Sequence, residues 1–505
     1  MEKRKAFIPN GSSRNGAFLV LAGVAILGLF LSYFSRGQEK ESPIGGTLIS
    51  VQTHPDAELS RCIGGTPENP AFHSEYEPHG AVNPKDPKNI LVSWMTNTSK
   101  GSALCRSSVT FDGGKSWSKP YILPALACAG GPSDLFNDDG DPWVSFGPEG
   151  RAYISVLTTL MGKEDHAFGL IVFTSPDGGR TWDPPNFVVK YHGLEFSLDN
   201  TCVTADPVHP GTAYLLSTRA EVPREVAEAI KKGSEPDSSK IPRPAAMAKT
   251  TDGGKTWSEL AAISPPKPGI YADDPQMVID PKAGRLYVFY SEGIEGRAVL
   301  FIKSEDGGKT WTEPAVVTDY VPPQMAGRLL KLKQELSFAE EIVHPAIDPK
   351  TGRLYVVFTD GRYTKGGMAW VSITSSADGG KTWTKPVPVN DSNVFGTWLP
   401  SIALNNDGRV GLTYFETPAA PKGQPIRLPF ALMEKTFNLD SKGIIQDVRG
   451  RVIDRFDYVP LDVEWTAFMG DYFGLVAIDK VFHAIYVKTV RRAGGVLSSD
   501  VFFGF

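Results

Sequence analysis

Acidic and basic side chains recur at corresponding points of this chain. Short strand-like runs open on Asp141 in "GDPW" (140–143), on Asp273 and Asp274 in "DDPQ" (273–276), on His344 in "VHPA" (343–346) and on Asp471 with Tyr472 in "GDYFG" (470–474). The runs that follow close on Arg219, Glu292, Glu416 and, in "FTDGRY" (358–363), on Asp360 and Arg362; Arg427 lies in the stretch beyond Glu416. Carboxylates held a short distance apart can act as general acid and as base or nucleophile on a glycosidic bond. Arginine forks can grip a sugar carboxylate through two parallel hydrogen bonds. On these grounds Asp360, Glu416, Glu292, Asp273 and Tyr472 are the catalytic candidates. Arg219, Arg362, Arg427, Asp141, Asp274, His344 and Asp471 are the candidates for holding substrate. The same residue types also have ordinary uses, since Asp before Pro caps turns and Arg–carboxylate pairs brace neighbouring strands.

Such residues need a frame, and the chain repeats one. "TFDGGKSW" (110–117), "SPDGGRTW" (175–182), "TTDGGKTW" (250–257), "SEDGGKTW" (304–311) and "SADGGKTW" (376–383) are near copies. Their aspartates, Asp112, Asp177, Asp252, Asp306 and Asp378, stand 54 to 75 residues apart, a period that fits propeller blades. An apolar run precedes each copy and a Pro-containing run follows, which reads as strand, turn, strand. Two glycines supply positive φ, the Asp accepts hydrogen bonds from turn amides, and the tryptophans (Trp117, Trp182, Trp257, Trp311, Trp383) offer large faces for packing.

A second plan precedes each copy: a polar start, a short strand, a Pro/Gly/Asn turn and a second β-rich strand. It recurs twice without a copy, at 398–415 and 470–487, giving seven openings. The expected fold is all-β, a propeller of seven blades of four antiparallel strands, with six as the alternative. The last unit is one strand short, and "GTLISVQT" (46–53) could supply it and join the ends of the ring.

The repeated octapeptide resembles the Asp box, or bacterial neuraminidase repeat, and residues 46–505 resemble the sialidase superfamily of β-propellers. The resemblance implies that the boxes are structural, on the turn between third and fourth strands, opposite the functional face. It also implies a glycan-binding and glycoside-hydrolase-like function, with exo-sialidase activity as one form. Family sialidases carry an Arg-Ile-Pro motif before the first box, three arginines on the substrate carboxylate, a Tyr/Glu nucleophile pair and an Asp acid/base. Within residues 46–505 only Arg61 and Arg106 precede Asp112, and "PIRLP" (425–429) is differently placed, so the motifs do not transfer. A non-catalytic propeller binding a glycan or protein is the alternative.

The N-terminus adds an expectation of placement. Residues 1–16 are basic, 17–34 carry no charge, and 35–45 form a linker. Eighteen helical residues span about 27 Å, enough for a bilayer. We expect an uncleaved signal anchor, with the head cytoplasmic and the propeller periplasmic or extracellular; a cleaved signal peptide is the rival. Export permits disulfides, and Cys105 and Cys128, flanking one predicted hairpin, could bridge. A net charge of −5 with no basic stripe argues against nucleic acid. No cofactor is called for, although a cation such as calcium could sit among the acidic openings without a dense D-x-D-x-D loop. Two stretches, 220–246 and 321–341, carry helical signals beside the expected mouth. Oligomeric state is not legible.

Overall fold

The computed structural model describes residues 45–49, 62, 74–97, 103–162, 165–232, 237–267, 271–292, 298–323, 342–364, 367–391, 394–418, 428–458, 469–491 and 497–504. The chain divides into two compact units, Met1–Ile44 and Gly45–Phe505, and the first lies outside the described residues, as does the expected span 17–34. Among the described residues no helix is long and apolar enough to cross a membrane.

Gly45–Phe505 is all-β, built from four-strand antiparallel meanders. Meander one holds Ser74–Val82, Ile90–Asn97, Ala103–Thr110 and Tyr121–Ile122; meander two holds Asp138–Phe146, Ala152–Met161, His166–Ser175 and Asn186–His192. Meander three holds Phe196–Ala205, Ala213–Glu221, Ala245–Thr250 and Ala261–Ala262; meander four holds Ala272–Asp280, Arg285–Glu292, Ala298–Ser304 and Ala315–Asp319. Meander five holds His344–Ile347, Leu354–Asp360, Trp370–Ser376 and Val387–Pro388; meander six holds Val394–Leu404, Val410–Pro418, Leu428–Leu439 and Ile445–Tyr458. The last, meander seven, holds Gly474–Ile478, Val481–Arg491 and Leu497–Gly504, and its fourth strand is Thr47–Leu48, paired Thr47 to Phe503 and Leu48 to Phe502. Counted as sheets there are six, because a parallel contact between Ser74 and Ser499 merges the first and last meanders into one eight-stranded sheet. First strands of successive meanders touch in order, and the seventh returns to the first, so they ring a common axis. The array is propeller-like.

The five Asp boxes occupy the turn between third and fourth strands in meanders one to five. In the first, Asp112 Oδ1 accepts the N–H groups of Lys115 (3.0 Å) and Ser116 (2.9 Å), and Oδ2 accepts the Ser116 hydroxyl (2.6 Å). The Thr110 hydroxyl donates to Asp112 Oδ1 (2.7 Å) and accepts the Gly114 N–H (3.1 Å). The tryptophans reach the preceding meander. Trp117 packs on Phe503 of the last, Trp182 on Tyr121, and Trp383 on Phe289 and Phe301. Trp257 joins the core around Leu170 and Val172, and Trp311 the core around Leu216 and Met247. The second box glycine shares this seam: at Gly380 (φ +86°) a side-chain carbon would stand 2.5 Å from Phe301.

Two expectations change. The disulfide joins Cys62 to Cys128, and Cys105 is a free buried thiol. Cys105 lies within a strand whose eight residues are all buried, with its N–H donated to Asp139, so its side chain belongs to the core. Cys128 sits in a short 3₁₀ turn past the meander, where Cys62 meets it. Of the two helical stretches, the first yields a helix at Arg224–Lys231, and residues 324–341 of the second lie outside the described residues.

Candidate functional site

The first strands share a local irregularity. In five of the seven, the ladder slips one or more residues at a non-glycine residue with positive φ: Glu77 (53°), Asp141 (52°), Asn200 (55°), Asp274 (42°) and Leu399 (51°). Pro follows four of them (Pro78, Pro142, Pro275, Pro400). A bulge leaves one residue outside the ladder and re-aims a side chain, and proline has no N–H to strand there. His344, before Pro345, pairs with Val357 as Gln276 pairs with Phe289 in meander four, two residues past the bulge position, and Asp471 lies just ahead of the first strand of meander seven.

These residues converge on the axis. Asp274 and Asp471 belong to meanders four and seven, which are not neighbours in the ring. Burial first, then the charges of Asp273, Asp471, Asp199 and Asp141, push the Asp274 carboxyl well above the usual carboxylate range. Glu77 is raised by burial and then by Asp141 and Asp471, and its Oε1 accepts the Asp471 N–H at 3.3 Å. Asp141 is pushed up to about 7 by burial, then by Asp199. Like-charged carboxyls drawn from water cannot all ionise, so protons remain in the ring near neutrality.

An aromatic layer adjoins the carboxyls. His79 stacks on Trp143 (centroids 3.8 Å apart, 18°) and accepts the Val144 N–H on Nδ1 at 3.1 Å. Tyr472 meets Trp143 edge-on at 5.3 Å, and its hydroxyl donates to the Pro142 carbonyl at 3.0 Å. Burial and the surrounding acids hold Tyr472 well above the ordinary phenol range, which disfavours the tyrosinate a nucleophile would need. Burial lowers His79 to about 3, with His344 adding, and lowers His344 to about 4, so both rings are neutral at physiological pH. Gln276 Nε2 lies 3.4 Å from His344 Nδ1, and His344 Nε2 is buried without a partner.

The other sequence candidates lie elsewhere. Asp360 is wholly buried, accepts the N–H groups of Arg362 (2.9 Å) and Val321 (3.2 Å), and pairs with the Arg362 guanidinium. Arg362 also binds the Asp319 carbonyl, so "FTDGRY" braces meander five on meander four. Arg219 donates to the Leu260 carbonyl (2.6 Å), pairs with Glu221 and lies over Phe196. Glu416 has a buried, unpartnered Oε2 and is raised by burial, then Asp391, against Lys435 and Arg455. Glu292 ends its strand half-buried. Ser291 donates to Asp273 at 3.5 Å, and Tyr271 donates to Asp199. Arg427 lies outside the described residues. Among the described candidates, Arg219 is committed within meander three and Arg362 between meanders five and four, and the two do not converge.

Sequence reasoning missed the bulge as the organising element, although the recurrent acid–Pro pair signals it. It also passed over His79 and Trp143, and Asp138 and Asp139 in "NDDGDP" (137–142). Asp138 accepts the Ala103 N–H at 2.6 Å; burial raises it to about 7, and Asp139 to about 8. Among the described residues no group of three or more His, Cys, Asp or Glu could hold a metal ion. A cavity of about 730 Å³ lies off the axis, between Phe196, Glu221, Pro242 and the helix Arg224–Lys231.

A family profile described as a BNR repeat-like domain matches residues 162–434, more than half of the chain. The chain belongs to the BNR repeat-like family. This BNR repeat-like protein is 24% identical over 346 residues to a sialidase of Bacteroides fragilis (strain YCH46), covering 63% of the chain and 55% of that relative. It thus spans about half the length of the curated relative it matches. Among solved structures it is similar to a mutant of the NanB sialidase from Streptococcus pneumoniae (12% identity, TM-score 0.45, covering 91% of this chain and 98% of that one). It is also similar to a Hadza microbial sialidase (17%, TM-score 0.43, 68% and 63%). Family and relatives accord with a sialidase superfamily fold.

Proposed function

We propose that this protein is a seven-bladed propeller that binds a glycan at the mouth of its central axis and hydrolyses it with the ring carboxyls. One observation carries the reading: Glu77, Asp141 and Asp274, from three separate meanders, meet at the axis with raised proton affinities, and Asp471 of a fourth donates its N–H to Glu77. Carboxyls with separated affinities are what acid–base cleavage of a glycoside needs, one protonated and one not. In this reading Glu77 and Asp141 exchange the working proton, Asp274 and Asp471 complete the ring, and Glu416 and Glu292 supply carboxylates at the second-strand ends. The reading calls on no cofactor. The N-terminal span 17–34 anchors the propeller outside the cytoplasm.

A second reading is a propeller that binds a glycan without cleaving it. It is favoured by the commitment of Arg219 and Arg362 to contacts within the frame. Turnover of a panel of chromogenic glycosides, sialosides first because the Bacteroides relative is a sialidase, separates the two. The hydrolase reading expects turnover lost in Glu77→Gln and in Asp141→Asn but kept in Asp360→Asn. Absence of turnover alongside glycan binding would leave the binder.

A further inference from the structure

We infer that the cavity beside meander three holds an N-acetylated sugar unit of the glycan. The inference rests on the glycan reading above and adds a holding point away from the axis, with the class of sugar it takes. Residues 222–244 join the second and third strands of meander three. In the other six meanders that connection runs from four residues (162–165) to nine (361–369). Binding residues concentrate on such connections when a rigid frame carries them. This one contributes the helix Arg224–Lys231, whose Val226 packs with Ala220 and Ile241 while Ala227 lines a cavity of about 730 Å³. Small-molecule sites run from about 300 to 1,000 Å³. Backbone bonds set the walls: the Val222 N–H donates to the Glu195 carbonyl (2.9 Å) and the Glu221 N–H to the Pro242 carbonyl (3.2 Å). The Pro223 carbonyl accepts the N–H groups of Val226 (2.9 Å) and Ala227 (3.0 Å), which fixes the start of the helix.

The cavity lies on the side of the meander away from its Asp box. Ala213 pairs with Thr250, which opens the box, whereas Glu221, at the other end of the same strand, pairs with Phe196 in the cavity wall. Phe196 and Asp199 stand three residues apart on one strand, about 10 Å, so a glycan of a few units reaches from the bulge of meander three into the cavity. Leu194, Phe196, Val222, Pro223, Ala227 and Pro242 give it apolar walls. Its charges are answered or turned to water: Arg219 pairs with Glu221, Arg224 pairs with Glu228, and Glu195 and Lys231 are exposed at the rim. The fitting occupant is therefore neutral, with an apolar part for the walls and polar groups for the rim. A plain hexose is ringed by hydroxyls, and the walls would leave some of them unbonded. An acetamido group brings a methyl to the walls and keeps its amide for the rim.

The test is calorimetric titration of the full-length chain in detergent with chitotetraose and with cellotetraose. The two share one backbone and differ in carrying an acetamido group or a hydroxyl on each ring. Chitotetraose should bind about four- to tenfold more tightly, the effect of setting one methyl group on an apolar wall. Ala227→Leu keeps a strong helix former and fills the cavity, so it should bring chitotetraose down to the cellotetraose affinity or below. Val222→Thr keeps the outline of the wall while making it polar, and should narrow the ratio. Both variants are compared at melting midpoints matching wild type. Equal affinity for the two sugars in wild type, or a preference that survives both substitutions, overturns the inference and leaves the glycan reading standing. Binding of neither sugar overturns it as well. Turnover in the glycoside panel would then keep the glycan reading, and absence of turnover would remove it.

Discussion

The Trp117 indole meets the Phe503 ring edge-on, with centroids 5.3 Å apart, so the first Asp box is fastened to the last strand of the chain. Each later box repeats the contact one meander back. Trp117→Ala should therefore destabilise the whole ring by about 3 kcal/mol, the usual cost of emptying such a site. Trp117→Phe should recover part of that loss. Thermal unfolding checks it: a midpoint unchanged by Trp117→Ala would show that the seam does not depend on the box.

The box aspartates give the frame an acid limit. Hydrogen bonds from Thr256, followed by Thr250, hold Asp252 down to about 2, and Thr382 and Ser376 do the same for Asp378. A carboxyl lowered in the fold stabilises it above the unfolded value near 4 and loses that contribution as pH falls toward 2. Asp378→Asn should thus be less stable than wild type at neutral pH, with the gap closing below about pH 4. Denaturant melts across that range measure it, and a gap constant with pH would rule out the linkage.

The axial carboxyls act with the opposite sign. Asp141 rises to about 7 in the fold. The native state therefore binds more protons than the unfolded chain between about pH 4 and 7, and stability from this group falls as pH rises through that window. His79 and His344, lowered to about 3 and about 4, contribute the reverse slope between those values and about 6.5. Wild-type stability alone would blur the two. Asp141→Asn isolates one: relative to wild type it should gain stability steadily from pH 4 to 7. A pH-independent difference would mean that Asp141 is not held protonated.

The Cys62–Cys128 bridge closes 66 residues of sequence. In the chain-entropy picture that is worth about 4 kcal/mol. Cys62→Ser and Cys128→Ser should each lower the melting midpoint by the same amount, and reductant should reproduce the shift in wild type. Cys105→Ser should leave the disulfide intact by mass spectrometry of the unreduced protein.

Much of the frame was legible because its signals are local. The box is a turn with its own hydrogen bonds, so "DGGKTW" betrays the third-to-fourth strand connection wherever it stands. The strand at Thr47–Leu48 follows from a missing edge. The site was legible only in part. Asp141, Asp274, His344 and Asp471 lie at strand openings that sequence marks as acidic or polar, and they do gather. Asp360 and Arg362, two residues apart in "FTDGRY", invite a functional reading, yet they answer each other across a loop, and such pairing is settled by tertiary packing. Cys62 could not be matched to Cys128 from spacing, because the residues around Cys62 carry no strand pattern to locate it. His79 and Trp143 escaped notice since a histidine and a tryptophan following Pro look like core.

The closing strand sets the order in which the domain can be completed. Thr47 leaves the ribosome 456 residues before its partner Phe503. At usual rates of synthesis the wait is roughly 20 to 90 seconds. Until then the strand Thr47–Leu48 has no third strand to pair with, Trp117 has no Phe503 to rest on, and for most of the wait Glu77 has no Asp471 beside it. The axial ring is therefore assembled last, and a chain released early carries the boxes without Asp471.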